Sequence, residues 1–292
     1  MESAKVLRSN LLVLLVLGFL TILTESLVWA APLNSETMGQ AINIAGRQRM
    51  LTQKMAKEAL LVHLKIDPIE NSNHLIKTMK TFESSLKNLQ EGSKALKIPK
   101  VPTPQIANYL QKVQSRWVDY KSALEAKNLD KIARLNLPIL KDMNRAVKQY
   151  ELASVTMGLK TNGKVINIAG RQRMLTQKMA KEVFLIAASV GEERQLKALK
   201  RTKELFAQSL DALINGSEQM KIKAPQSNQV KNQLKVVAGH WVTYQALVDK
   251  ALMGRKALPP ERLKEIAAIN LVVLVEMNKA VGMIQAASAP QN

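Results

Sequence analysis

Residues 42–58 read INIAGRQRMLTQKMAKE, and residues 166–182 repeat the same seventeen letters without a single change. The two segments, which we call the boxes, begin 124 positions apart. A fold needs only a matching pattern of apolar and polar residues. Complete identity therefore indicates that the boxes do something more specific than fold.

Looser matches between the two halves of the chain surround the boxes. Those at the same offset of 124 are Phe82 with Phe206, Leu86 with Leu210, Gly92-Ser93 with Gly216-Ser217, and Trp117 and Tyr120 with Trp241 and Tyr244. Those at an offset of 134 are Asn136-Leu137 with Asn270-Leu271 and Met143-Asn144 with Met277-Asn278. An insertion near residues 254–260 explains the change of offset. Self-similarity of this kind predicts a tandem duplication of one domain.

The chain length agrees with two copies of a domain. Its 292 residues are enough for about two ordinary domains. We predict a separate leader over residues 1–30, a first copy over residues 32–155 and a second copy over residues 156–289.

The leader has the order of charges and apolar residues found in secretory signal peptides. Lys5 and Arg8 precede an apolar run over residues 11–23, and the small residues Ala30-Ala31 follow. The run is shorter than the roughly 20 apolar residues of a spanning helix. We expect a periplasmic or secreted protein, and the alternative is an inner-membrane anchor formed by residues 11–23. The sequence leaves open whether the segment is cleaved.

Composition narrows the class of partner. The chain has no cysteine, which excludes disulfides and thiol chemistry, and its formal net charge is +20. Such a surface attracts anions, acidic polymers or an anionic membrane face. Scattered lysines on a solvated helical surface explain the charge equally well. Aromatic residues make up only 4% of the chain, which argues against a stacking platform for nucleic acid.

Helical periodicity covers almost the whole chain, and no segment alternates as strands do. In the first copy the predicted helices cover about residues 35–64, 68–96, 103–127 and 128–155. Asp67-Pro68 with Glu70 predicts a capping box, and Thr103-Pro104 predicts another capped start. Pro138 should kink the fourth helix or mark its start. Four amphipathic helices with short connections predict a four-helix bundle for each copy.

A helical wheel separates the two arginines of the first box. With about 100° per residue, Arg49 lies at the edge of the apolar seam, close to Ala45 and Thr52. Arg47 lies on the polar side and is predicted to be solvated. A guanidinium at a packing seam is costly unless it is paired.

Small and neutral polar residues surround Arg49. Gly46 leaves room for a partner helix or a small anion, while Thr52 and Gln53 supply hydrogen-bonding groups. Arginine suits planar oxyanions because its fork makes bidentate, charge-assisted hydrogen bonds. From geometry alone, an arginine–carboxylate bridge inside the bundle or a guanidinium reaching the surface explains the position as well.

The segment Ala45-Gly46-Arg47-Gln48-Arg49-Met50 and its copy at 169–174 resemble the signature of the PilJ/NarX-like N-terminal sensor domain. That domain is the periplasmic four-helix module of nitrate/nitrite sensor kinases and of type IV pili chemotaxis transducers. The resemblance implies an all-α fold of two tandem four-helix bundles of the periplasmic sensor type. It also implies that Arg49 and Arg173 hold the ligand, because a motif of the form A-G-x-x-R-M carries the nitrate-binding arginine in that family. Thr52-Gln53-Lys54 follows the box in the style of the pili-transducer branch, whose ligand the motif does not name.

The predicted ligand-binding residues lie at equivalent places in the two boxes. They are Arg49, Arg173, Thr52, Thr176, Gln53, Gln177, Gly46 and Gly170. In the resembling family, two subunits bring two such helices together around one anion. Here the boxes are expected to pair within one chain, with pairing across a homodimer as the alternative.

The function predicted from the sequence is an exported, non-enzymatic sensor or binding protein for a small oxyanion similar to nitrate or nitrite. We expect no output domain after the second copy, so that the signal would pass to a membrane sensor kinase or a chemotaxis transducer. The alternative is a helical structural or adaptor protein of the envelope or the type IV pilus system without a small ligand. No catalytic constellation, metal-ligand spacing or cofactor motif is recognised, and nucleic acid is not a predicted partner.

Overall fold

The computed structural model describes residues 30–254 and 258–287, so the predicted signal segment and the alternative anchor over residues 11–23 lie outside the described residues. The described residues form eight helices and no β-strand, which confirms the all-α prediction. The helices of the first copy are α1 (Ser35–His63), α2 (Pro68–Glu91), α3 (Pro104–Glu125) and α4 (Leu129–Thr156). Those of the second copy are α5 (Gly163–Ala187), α6 (Glu192–Asn215), α7 (Asn228–Met253) and α8 (Pro260–Ala286). The division at 155/156 falls within the last turn of α4 and stays a prediction.

Local sequence signals set most of the helix starts. Thr103 caps α3 through its side chain, as predicted, and Asn128 caps α4 in the same way. The predicted cap at Asp67 is wrong, because this residue has a φ of 41° and its side chain makes no capping hydrogen bond. Pro138 lies inside α4 and does not start it.

A glycine ends α2 earlier than predicted. The helix stops at Glu91, where the sequence predicted residue 96, because Gly92 turns the chain with a φ of 83°. An added Cβ at Gly92 would lie 2.5 Å from the Cβ atom of Ala30, so only glycine fits there. Gly216 ends α6 with a φ of 82°, which repeats the device in the second copy.

The two bundles join through their first helices. Helix α1 packs against α2 and α4 of its own copy and against α5, while α5 packs against α6, α8 and α1. Because neighbours surround these two helices, almost the whole length of each box is buried. The pairing places both boxes at the centre of the molecule.

Helix α8 is long and apolar enough to cross a membrane by length and composition. In this fold its buried face packs on α5 and α7, with Met277 and Val281 in the core. A core helix of a soluble bundle has the same composition, so this property assigns no membrane span.

Candidate functional site

Helices α1 and α5 come closest where each box contains its glycine. The Cα atom of Gly170 lies 3.9 Å from the point that a Cβ atom of Gly46 would occupy. The neighbouring Ala45 and Ala169 are small and completely buried. The box therefore provides a close helix contact, at which side chains of both copies can meet.

Arg49 extends from α1 into this contact. Its Nη1 donates to the side-chain oxygen of Asn144 on α4 at 3.2 Å, and its Nη2 donates to the main-chain carbonyl of Asn167 on α5 at 3.1 Å. Only 1% of Arg49 is exposed. The side chain thus links its own bundle to the other one from a buried position.

Arg173 repeats this arrangement from the second copy. Its Nη1 donates to the side-chain oxygen of Asn278 on α8 at 3.3 Å. Its Nη2 donates to Asn43 on α1, at 3.2 Å to the carbonyl oxygen and 2.8 Å to the side-chain oxygen. With 3% exposure this guanidinium is also buried. The two arginines are therefore related by an approximate twofold axis.

The two guanidinium groups converge on the glycine contact. A Cβ atom added to Gly170 would lie 3.3 Å from Nη2 of Arg49 and 3.4 Å from Nη2 of Arg173. The two Nη2 atoms therefore lie no more than 6.7 Å apart, the sum of those distances. Two like charges this close repel each other, and an anion bound between them would offset this repulsion.

Neither guanidinium has a carboxylate partner within the described part of the chain, where all ion pairs involve other residues. The buried Nε atoms of Arg49 and Arg173 have no acceptor there either. Burial lowers the pKa of Arg49 to about 9, with a further lowering by Arg171 and Arg173 and an opposing effect of Glu151. Burial also lowers the pKa of Arg173 to about 9. Both groups stay cationic at neutral pH, so the contact holds two buried positive charges with unused donors.

The predicted solvation of Arg47 is wrong. Arg47 is half-buried between helices and donates through Nη2 to Ser85 on α2 at 3.2 Å. The wheel assumed one packing seam, whereas α1 is covered on several sides. The charge of Arg47 acts on Arg173, and that of Arg171 acts on Arg49, so the outer arginines add to the positive potential.

The predicted threonine and glutamine ligands lie elsewhere. The Thr52 hydroxyl donates to the carbonyl of Arg49, and Gln53 donates to Thr52 and accepts from Lys181. Thr176 donates to the carbonyl of Gln172, and Gln177 donates to the side chain of Asn270. None of the four side chains hydrogen-bonds to a guanidinium. Of the predicted site residues, the structure thus brings Arg49, Arg173, Gly46 and Gly170 together. The Thr52 and Thr176 hydroxyls bond within their own helices, and Gln53 and Gln177 belong to a separate polar layer.

This layer, which we call the lysine layer, consists of Lys57, Lys181, Gln53, Gln177, Asn136 and Asn270. Each lysine bonds to the fourth helix of the other copy. Lys57 donates to Asn270 at 3.0 Å, and Lys181 donates to Asn136 at 2.9 Å. The layer therefore fastens the two bundles to each other beyond the arginine contact.

One pair of equivalent positions breaks the symmetry of the arginine contact. Asn167 donates to the carboxylate of Glu151 on α4 at 2.6 Å, while Asn43 donates to the amide of Gln285 on α8 at 2.5 Å. Glu151 also pairs with Lys148. The side of the contact next to α4 therefore carries a negative charge that the side next to α8 lacks.

Sequence reasoning missed the asparagines of the arginine contact and the asparagines and lysines of the lysine layer. The matches between the two copies nevertheless include all of these residues. The dipeptides that match between the copies outside the boxes hold the asparagines that bind the arginines (Asn144 and Asn278) and the lysines (Asn136 and Asn270). These matches therefore mark polar contacts of the central helices. In the described residues, no group of three or more histidine, cysteine or acidic side chains is placed to hold a metal.

Comparison with known proteins finds relatives among chemotaxis receptors. The family model for the type IV pili methyl-accepting chemotaxis transducer N-terminal domain, PilJ, matches residues 34–137 and 155–263. The methyl-accepting chemotaxis protein McpN of Pseudomonas aeruginosa is 38% identical over 87 residues, which are 30% of this chain and only 16% of that protein. A solved structure described as the ligand-binding domain of the P. aeruginosa nitrate receptor McpN is 27% identical. It covers 43% of this chain and 97% of that one, with a TM-score of 0.38.

Proposed function

Because this chain belongs to the PilJ family of chemotaxis-transducer N-terminal domains, we propose that it is a non-enzymatic sensor module that binds one small oxyanion between α1 and α5. One observation carries the proposal: Arg49 and Arg173, from two identical boxes, converge in a buried contact in which neither is paired with a carboxylate of the described residues. Buried charges are normally paired, and an anion supplies the missing pair.

The donors present suit a planar oxyanion. Each guanidinium has an Nε atom without an acceptor beside Nη atoms that donate only to neutral oxygens. A guanidinium edge binds two oxygens of one anion in a bidentate manner. Nitrate and nitrite have this shape, and the relative McpN is described as a nitrate receptor. Nitrate is therefore the first anion to test.

The pairing of α1 with α5 inside one chain supports a stoichiometry of one anion per chain. In this arrangement the duplicated copies take the place of two subunits, so a homodimer is not needed to complete the site. Gln53 and Gln177 belong to the lysine layer, and the Thr52 and Thr176 hydroxyls bond to their own helices, so none of the four is proposed as a direct ligand.

We propose export for the same module, because residues 1–30 have the pattern of a signal segment. Bound anion would join α1 to α5 and so change how the two bundles pack. A sensor kinase or a chemotaxis transducer would receive this change, since the relative McpN is a methyl-accepting chemotaxis protein.

Calorimetric titration with nitrate, nitrite and sulfate tests the proposal. Nitrate or nitrite should bind at one site per chain, and Arg49→Ala or Arg173→Ala should each remove most of the binding. Arg201→Ala is the matched control, since Arg201 is exposed on α6 and bonds only within its own helix. The proposal fails if no oxyanion binds the wild type, or if the control loses as much binding as the other two; the adaptor alternative would then stand.

A further inference from the structure

The lysine layer holds two ammonium groups in the middle of the molecule. Lys57 is 5% exposed and Lys181 is 4% exposed, although lysine almost never lies fully buried without a partner. The four amide side chains around them, Gln53, Gln177, Asn136 and Asn270, are completely buried. Both lysines belong to the box, so their burial follows from the same helix pairing that buries the arginines.

The hydrogen bonds of the layer leave donors unused. An ammonium has three N–H donors. Lys57 uses one of them, on Asn270, and Lys181 uses two, on Gln53 and Asn136. All these acceptors are neutral amide oxygens. In the layer, Oε1 of Gln177 is a buried acceptor without a partner, whereas its counterpart on Gln53 accepts from Lys181. With two donors unused, Lys57 can serve this oxygen and still accept one further electron-rich partner.

No carboxylate of the described residues pairs with either lysine. The nearest in sequence, Glu58 and Glu182, pair with Lys54 and Lys178 on the same helices. A buried ammonium group without a directly paired carboxylate costs several kcal/mol, and either a bound anion or the loss of its proton relieves this cost.

We propose that the lysine layer is a second anion site, separate from the arginine contact, that binds a small inorganic monoanion of halide size together with a proton. Between about pH 7 and pH 8 one lysine of the anion-free protein is neutral. On binding, a proton joins its Nζ atom and the resulting ammonium donates to the anion, so a neutral ion–proton pair is taken up. The anion must be small because every side chain of the layer is buried.

The charged groups around the lysines agree with proton-linked binding. Burial lowers the pKa of Lys57 to about 8, opposed by Glu58 and assisted by Lys54. Burial lowers the pKa of Lys181 to about 7, opposed by Glu182 and assisted by Lys178 and by Arg194 of α6.

The other elements that contact the layer contribute only neutral groups. Asn136 of α4 and Asn270 of α8 are amides, and burial raises the pKa of Tyr120 and of Tyr244, which keeps both hydroxyls neutral. The lysines are thus the groups of the layer that titrate near neutral pH.

The sign of the pH dependence follows from these shifts. For a lysine with a lowered folded-state pKa, the unfolded chain binds more protons above that pKa, so stability rises with pH from about 7 to 10 when no anion is bound. A bound monoanion favours the protonated form. It should therefore stabilise the protein most at low pH and least above pH 8.

Thermal unfolding in sodium chloride against sodium gluconate at equal ionic strength tests the proposal, because gluconate is too large to enter the layer. Chloride should raise the Tm at pH 6 more than at pH 9. Above about pH 8 its apparent Kd should increase about tenfold per pH unit, as one linked proton requires. A chloride effect that is the same at pH 6 and pH 9 overturns the proposal.

Two double variants separate this site from the arginine contact. Lys57→Met/Lys181→Met should lose the rise in Tm that chloride causes. Arg49→Ala/Arg173→Ala should keep this rise and lose the response of the Tm to nitrate. Lys77→Met/Lys200→Met removes two exposed lysines and is the control. A chloride response that survives in the buried-lysine variant refutes the second site, and a nitrate response that survives in the arginine variant refutes the proposed function instead.

Crystals of the wild-type protein grown in sodium bromide give a test that depends on no variant. An anomalous peak within hydrogen-bonding distance of Nζ of Lys57 or Lys181 is expected. Its absence at pH 6 would show that the lysines are accommodated without an anion.

Discussion

Replacing Arg49 by methionine should stabilise the anion-free protein and abolish its response to oxyanions. Methionine keeps much of the length of the side chain and removes the charge. Replacing buried ionic groups by apolar ones of similar volume is often neutral or stabilising. If Arg49 is kept for binding at the expense of stability, its replacement should raise the free energy of unfolding and lower the affinity for oxyanions.

The magnitude follows from the burial of the charge. Burial, with the nearby arginines, lowers the pKa of Arg49 from 12.5 to about 9, and one pKa unit corresponds to about 1.4 kcal/mol. Holding the charged form in the fold therefore costs about 5 kcal/mol at pH 7. This penalty is complete below pH 9 and fades as the pH rises further, because the folded form then loses its proton first.

The lost hydrogen bonds offset part of this gain. Arg49 donates to Asn144 and to the carbonyl of Asn167, and each such bond contributes about 1.5 kcal/mol. The variant should therefore be about 2 kcal/mol more stable than the wild type when no anion is bound. With nitrate at about a hundred times its Kd, the wild type alone gains about 3 kcal/mol. The order of stability should then reverse.

Urea unfolding at pH 7 in sodium gluconate and in sodium nitrate measures both effects. Arg201→Met is the control, because it removes an exposed charge and should change neither value by more than about 0.5 kcal/mol. The reasoning is refuted if Arg49→Met is clearly less stable than the wild type in gluconate, or if nitrate stabilises the variant as much as it stabilises the wild type.

Two further predictions concern the surroundings of the arginines. Glu151→Gln should tighten nitrate binding about fivefold, or by about 1 kcal/mol, because it removes a carboxylate whose charge acts on Arg49. Gln285→Glu adds a carboxylate at the equivalent position and should weaken the binding. Calorimetry that finds the same Kd in both variants would contradict this. Gly170→Ala should weaken binding severalfold, because its Cβ atom would lie 3.3 Å from Nη2 of Arg49, while Gly282→Ala places a Cβ atom in open space and is the control; equal affinities would exclude the glycine contact as the binding point.

Much of the fold could be predicted because helix periodicity and chain breaks are local. The caps at Thr103 and Asn128 follow from side chains that bond to the backbone three residues on. The end of α2 was misplaced because Leu96 is apolar and the next proline is Pro99, whereas Gly92 has a backbone conformation that stops the helix. The predicted cap at Asp67 is wrong for a related reason, since this residue has the positive φ of 41° and its side chain makes no capping hydrogen bond.

The candidate site could be predicted in part. Arg49 was selected twice, by its place beside small residues on the wheel and by the A-G-x-x-R-M motif of the resembling family. Arg47 was misjudged because a wheel cannot show how many neighbours a helix has. Lys57 was overlooked because a lysine near the end of a helix is ordinarily solvated.

By itself the sequence determined the class of the protein: helices, two copies, and an arginine beside a glycine in each. Periodicity, capping and repetition act over short distances along the chain, so they can be read without coordinates. Only the tertiary structure decided that α1 packs on α5, and this single contact brings Arg49 within 6.7 Å of Arg173 and buries Lys57 and Lys181. Burial and convergence depend on atoms more than 100 positions apart, and the electrostatic properties of a charged group are set by those distant neighbours.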